Sequence, residues 1–275
     1  MSGSSAVAKT KYMPLTKFVQ SCIPYFAVGI LLASFLTISA PSALALHEVK
    51  IPLILFHHVR PITPSMDDAA RGLSVDSHVF EDQLKILVKN MYRTASLDEL
   101  ALSLQSGKTL PPYSLILTFD DGYDDLYTYA YPLLKKYHYT GVAFIPTAKI
   151  GTKGYVTWDQ LREMEDSGVI NSQSHTLTHP VLTELTAKKM LTEVLQSKSI
   201  LEKELNKKIG FFCYPYGKYS PEVIEAVKST GYSAAFTTHF EVNHSSEKLF
   251  ELGRVRISTA DFGLKLERKL LTFLH

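Results

Sequence analysis

Short apolar runs alternate with helix-patterned segments from Ile51 to Ser258, and this rhythm restricts the chain more than any other feature. Ile51 to Phe56 (IPLILF), Leu115 to Phe119 (LILTF), Val142 to Ile145, Ile209 to Tyr214 and Ala234 to Thr238 have the length and composition of buried strands, and a last strand is expected at Arg254 to Ser258. Between them Phe80, Leu84, Leu87, Val88 and Met91 recur at helical spacing, and another helix is expected through Tyr129 to Tyr137. Thr157 with Gln160 reads as a capping box for a helix ending before Gly168. Thr186 opens a longer helix with Leu191, Val194, Leu195, Leu201 and Leu205 on one side, and Ser220-Pro221 starts one that Gly231 closes. Strand and helix in alternation predict parallel strands flanked or ringed by helices. No repeat or linker divides the residues from 46 to 275, so they are expected to form one domain.

The first 45 residues read differently. Lys9, Lys11 and Lys17 are the only charged side chains before His47, and Phe18 to Leu46 carries none. Ile23 to Ala40 is apolar enough to enter a bilayer, and Ala43-Leu44-Ala45 has the small-x-small pattern of a cleavage site. Residues 1–45 are therefore expected to be a signal peptide or a membrane anchor, with Met1 or Met13 as the start. The domain after them is expected outside the cytoplasm, secreted or held on the outer face of the membrane. Of 29 Lys+Arg and 27 Asp+Glu, the remainder from position 46 keeps 26 basic and 27 acidic residues. That near-neutral body disfavours electrostatic nucleic-acid binding. Cys213 is the single cysteine beyond the leader, which leaves no intramolecular disulfide there.

If the strands curl into a barrel, chemistry collects where they end. Directly after LILTF stand Asp120 and Asp121, then Gly122 and Tyr123. Two adjacent carboxylates at the exit of an apolar strand are costly to bury unless paired. A metal ion would neutralise one and leave the other free to accept a proton; a helix N-cap is the plainer use of such an Asp. His175 and His179 in Ser-His-Thr-Leu-Thr-His are four apart and would share one face of a helical turn. Two imidazoles and a carboxylate suit Zn²⁺ or a similar divalent ion with positions left open. An isolated pair of this spacing also arises from one surface and one capping histidine.

Taken together, Thr118-Phe119-Asp120-Asp121-Gly122-Tyr123, Ser174-His175 through His179, and Tyr214-Pro215-Tyr216-Gly217 resemble the polysaccharide deacetylases, the NodB-like carbohydrate esterase family 4. The resemblance covers Ile51 to Ser258. The opening IPLILFHHV, the Tyr-Pro-Tyr-Gly form and the terminal Arg254 to Ser258 stretch are similar to those of the biofilm poly-N-acetylglucosamine deacetylases. It implies a distorted (β/α) barrel of about seven strands, and metal-dependent removal of acetyl from N-acetylglucosamine units of an exported or cell-wall polysaccharide. In its terms Asp121, His175 and His179 hold the metal, Zn²⁺ foremost among divalent ions, and Asp120 is the general base. The backbone N–H of Tyr216 would face the oxyanion, with Pro215 setting the turn, and His57 would be the general acid. The membrane is a partner through the N-terminal segment if that stays attached.

The chain departs from the wider family in three places. The late Leu-x-His motif is absent, His239 and His244 having other flanks; Phe212-Cys213 stands where an Arg opens the third motif; and no fourth-motif Asp can be assigned, Asp159 being better placed in a helix first turn. The missing groups keep open a non-catalytic polysaccharide-binding protein, and peptidoglycan, chitin oligomers or acetylated xylan remain competing substrates. No GxSxG or HExxH is present, and Gly107-Lys108-Thr109 lacks the earlier Gly of a P-loop. Trp158 and Tyr155 are candidates for stacking on a sugar face.

Overall fold

The computed structural model describes residues 46–273 of the chain; the expected leader, residues 1–45, lies outside the described residues. Chain order begins with β1 (Glu48–Lys50), β2 (Leu53–Phe56), β3 (His58–Val59), α1 (Asp68–Gly72), β4 (Ser74–Val75), α2 (Ser77–Lys89), β5 (Arg93–Thr94) and α3 (Leu97–Ser106). It continues through β6 (Ser114–Asp120), α4 (Tyr131–Lys136), β7 (Gly141–Ile145), α5 (Trp158–Asp166), β8 (Ile170–Ser174) and α6 (Ala187–Leu205). The last elements are β9 (Phe211–Cys213), α7 (Pro221–Ser229), β10 (Ala234–Phe236), β11 (Asn243–Ser245), β12 (Val255–Arg256) and α8 (Gly263–Thr272).

Seven parallel strands form one curled sheet in the order β10-β9-β8-β7-β6-β2-β12, with short β5 added beside the start of β6. The expected parallel α/β sheet is thus present as a half-barrel. The segment that ends in β12 reaches both of its edges: Leu252 bridges to Phe236 of β10, while Val255 and Arg256 pair with Ile54 and Leu55 of β2. All seven residues of β6 are buried. With both faces covered, the strand carries a nearly unbroken apolar run instead of an alternating one. On one face Phe56, Phe80 and Phe119 pack together, with Phe56 and Phe119 stacked at 5.3 Å; on another Phe144, Phe211 and Phe236 do so.

Local signals placed most helix ends. The Thr157 and Gln160 capping box is formed in both directions, and Ser220 caps the helix that begins at Pro221. The expected faces were less secure. In α2, Phe80, Leu84 and Leu87 are buried, but Val88 is exposed and Met91 lies beyond the helix at φ 58°. In α6 the buried side is Met190, Val194, Ser197 and Leu201, while Leu191 and Leu195 face out. Ser197 is tolerated inside because its hydroxyl meets that of Ser174 at 2.8 Å. The helix expected over Tyr129 to Tyr137 begins earlier, as a π-turn over Leu126–Ala130 that runs into α4.

Candidate active site

The functional cleft opens at the C-terminal ends of β2, β6, β8 and β9. Asp120 is the last residue of β6 and 3% exposed. Asp121 and Gly122 follow at φ 73° and 69°, a left-handed pair that turns the chain sharply as it leaves the sheet. Gly122 has little room for a side chain, since a Cβ there would lie 2.9 Å from Ile145 Cδ1. Across β7, β8 ends at Ser174, and His175 follows with its N–H donating to Ile145 O (3.1 Å).

His175 and His179 do not share a helical turn, contrary to expectation. The segment between them is a loop in which Thr176 and His179 adopt φ 70° and 67°, and Thr176 Oγ1 accepts the His179 N–H at 3.0 Å. That tight turn, and not the helical period, brings the rings together. His175 Nδ1 lies 2.7 Å from Cys213 O. A carbonyl only accepts, so Nδ1 carries the proton and Nε2 presents its lone pair to the cleft.

Three ligand atoms now face one another. Asp121 Oδ1 is 3.1 Å from His179 Nε2 and 3.5 Å from His175 Nε2, and the two Nε2 atoms are 3.1 Å apart. Donors about 2.0–2.2 Å from a common divalent ion stand roughly 3.0–3.5 Å from one another, so this triangle has the spacing that three ligands of one ion would take. At 3.1 Å the two nitrogens are close enough to share either a metal ion or, with one ring protonated on Nε2, a hydrogen bond. Burial opposes ionisation of Asp121, and the two histidines overcome it, holding the carboxyl far below its usual range. The residues present therefore fit a divalent cation.

Asp120 is held differently. Arg254 Nη1 donates to Oδ1 at 2.7 Å and Nη2 to Oδ2 at 2.6 Å, a bidentate pair with both side chains closed off from solvent. The remaining guanidinium protons go to Thr118 Oγ1, Thr237 O and Cys213 Sγ. Burial raises the Asp120 pKa, and Arg254 more than reverses the effect, so the carboxyl stays ionised below its usual range. Asp120, His175 and Cys213 also lie close enough to suggest a second metal group. Arg254 already occupies that corner, and burial pushes the Cys213 thiol pKa up, which makes it a poor ligand there. Arg254 thus provides, from the other end of the chain, the cation absent before Tyr214.

His57 and His58 part as the extended backbone requires. His57 lines the cleft with Asp120, Asp121, His175, His179 and Tyr216, and its pKa is lowered chiefly by burial. His58 turns away to Asp125. The cleft holds about 640 Å³. A comparable hollow of about 680 Å³ near the strand starts, lined by Leu46, Pro111 and Phe273 among others, brings together no metal-ligating constellation among the described residues. Tyr216 is 59% exposed at φ 60°, with its ring 4.8 Å from that of His179, while Pro215 is buried beneath it. Gly217 is required after it, because a Cβ would fall 2.1 Å from Thr238 Oγ1. Tyr155 lines the cleft and stacks on Tyr123 at 5.2 Å, whereas Trp158 packs between core clusters. Asp159 is in the first turn of α5, paired with Arg162. His239 is exposed and His244 is buried away from the cleft.

Residues 107–235 match the sequence profile of the polysaccharide deacetylases. The chain is 32% identical over 209 residues to the polysaccharide deacetylase homologue YxkH of Bacillus subtilis, spanning 76% of this chain and 72% of that one. It is 26% identical over 228 residues to the poly-beta-1,6-N-acetyl-D-glucosamine N-deacetylase of Staphylococcus epidermidis, covering 75% and 78% of the two chains. Among solved structures, the Streptococcus pyogenes deacetylase PplD in complex with acetate superposes with a TM-score of 0.75 at 29% identity, over 81% of this chain and 98% of the other.

Proposed function

The chain belongs to the polysaccharide deacetylase family, hydrolases of carbon–nitrogen bonds, and from that membership we propose that it removes acetyl groups from N-acetylglucosamine units of an extracytoplasmic, poly-N-acetylglucosamine-like polysaccharide. The observation that carries this reading is the convergence of Asp121 Oδ1, His175 Nε2 and His179 Nε2 within 3.5 Å of one another, beside Asp120 in a cleft that His57 also lines. The relationship to the staphylococcal enzyme supports the sugar, and the lysine-led apolar segment of residues 1–45 supports export.

In this reading Asp121, His175 and His179 hold a divalent metal, Zn²⁺ foremost. The ion would supply Lewis acidity toward the acetamide carbonyl and toward water. The chain's own groups do the rest. Asp120 takes a proton from the attacking water on an oxygen that Arg254 keeps ionised and aimed. The strained turn at Tyr216 orients its backbone N–H toward the charge that develops on the carbonyl oxygen. His57 gives a proton to the departing amine, which leaves poorly without one. With Arg254 on Asp120, the absent third-motif Arg no longer favours a protein that merely binds glycan.

Metal analysis of the purified full-length protein, paired with acetate release from N-acetylglucosamine oligomers, peptidoglycan and acetylxylan, tests the proposal. We expect a bound divalent ion, chelator-sensitive release, and preference for β-1,6-linked N-acetylglucosamine oligomers. Asp120→Asn should lower turnover about 10²–10⁴-fold while retaining the metal. A metal-replete protein inert on every glycan would overturn the reading.

A further inference from the structure

His58 and Asp125 form a buried hydrogen-bonded pair that this chemistry leaves unused. Asp125 Oδ2 accepts from His58 Nδ1 at 2.5 Å and Oδ1 accepts the Val59 N–H at 3.2 Å; the two residues are 8% and 5% exposed. A buried pair of this kind is weak evidence for stability, because an apolar replacement of similar shape is often as stable. Its location gives it another use. Asp125 lies on the loop that leaves β6 through Asp120 and Asp121, and its partners are the two residues that follow His57 after β2. One carboxylate therefore ties the loop of the acid to the loop of the base and metal ligand. The far side of the His57 loop is fixed as well, His58 N donating to Leu73 O (3.1 Å) and Arg60 N to Val75 O (3.0 Å).

The ring of His58 makes a further connection. It lies on Tyr123 at 3.7 Å and 19°, and Tyr123 stacks in turn on Tyr155. Backbone bonds from Asp124 N to Gly154 O and Val156 N to Gly122 O join those two loops. Tyr123 is thus in ring contact with both His58 and Tyr155, and it lines the cleft. We infer that His58 and Asp125 are a positioning pair for deacetylation, setting the imidazole of His57 relative to Asp120 and Asp121. This rests on the reading of His57 as the acid.

The test compares full-length, metal-replete wild type with Asp125→Ala and His58→Phe on an N-acetylglucosamine oligomer and on 4-nitrophenyl acetate, whose leaving group departs without a proton. On the oligomer kcat should fall about 10- to 100-fold, the range for groups that orient active residues, with KM little changed and metal content unaltered. The loss on the ester should be much smaller. In a His57→Ala background, Asp125→Ala should add little further loss, since the pair acts through that ring. Equal losses on amide and ester, or a fully additive loss with His57→Ala, would overturn the assignment. If Asp125→Ala fails to fold, His58→Phe keeps an aromatic face on Tyr123 and carries the same comparison. Wild type that releases no acetate would overturn the parent reading and this one with it, whereas an active wild type with unaffected variants overturns only the pair.

Discussion

His175 and His244 are both nearly closed off from solvent, 2% and 1% exposed, yet their proton affinities move in opposite directions. At the strand starts, His244 gives its Nε2 proton to Ile51 O at 3.1 Å, its Nδ1 has no partner, and burial lowers its pKa to about 4. At the other end burial disfavours a charged His175 as well, but Cys213, Asp121 and Asp120 outweigh it. Burial alone makes an imidazole neutral and inert. Burial among carboxylates suits a site for a cation, and among the described residues such sets gather at the rim of the sheet. The rim gathers its charges from loops far apart in the chain, so each can be paired.

That contrast is open to direct attack, first at the rim. Arg254→Met strands Asp120 as an unpaired buried charge and should cost about 3–5 kcal/mol of stability, measured by chemical denaturation. Adding Asp120→Leu should recover most of that stability and none of the activity. If Arg254→Met is as stable as wild type, the rim's charges are not held by mutual pairing.

The base of the sheet offers the next test. His244 has a folded-state pKa of about 4 against an ordinary value of 6.5, so the unfolded chain binds the proton more readily. Its contribution is intact above pH 6.5 and is lost as pH falls toward 4, by about 3 kcal/mol in all. Unfolding curves for wild type and His244→Phe should therefore differ in slope over that window and run parallel above it. Parallel curves throughout would show that His244 is not held neutral.

The smallest effect expected is on His57, whose pKa is lowered by burial and, more weakly, by Arg254 and Arg256. Arg256→Gln removes one cation from its surroundings, so the imidazolium should persist to higher pH. The alkaline limb of kcat/KM on amide substrates should shift upward by a few tenths of a pH unit, less in high salt. An unmoved or lowered limb would detach Arg256 from the acid.

How much of this was legible in the sequence depended on distance along the chain. Asp120, Asp121, His175 and His179 sit in short stretches whose composition is odd for the end of an apolar strand, and each lines the cleft. The helical-face reading failed for Leu191 and Leu195 because periodicity counts apolar residues and cannot see that Ser197 has Ser174 to meet. It also mistook the cause of the His175 and His179 approach, which depends on two left-handed residues in a loop. Arg254 belongs to a terminal stretch that resembles the biofilm deacetylases, but nothing around it in sequence pointed to Asp120 as its partner. It stands 134 residues from Asp120, just before the short strand β12, and the bond between them exists because the segment around β12 packs beside β2 and β10. Asp125 was hidden for the same reason, its partners lying 66 and 67 residues away.

The sequence by itself determined the alternation that makes a parallel sheet, the capped helices, and the candidate triad Asp121, His175 and His179 with its neighbouring carboxylate. These are legible because strand burial, capping and motif chemistry act over a few residues. Only the tertiary structure decided that Arg254 holds Asp120, that Asp125 links the loops of His57 and Asp120, and that His244 is an isolated buried ring. Each of those is a charge or proton balance closed between distant segments, and it has no value until the sheet has curled and brought the partners out of water together.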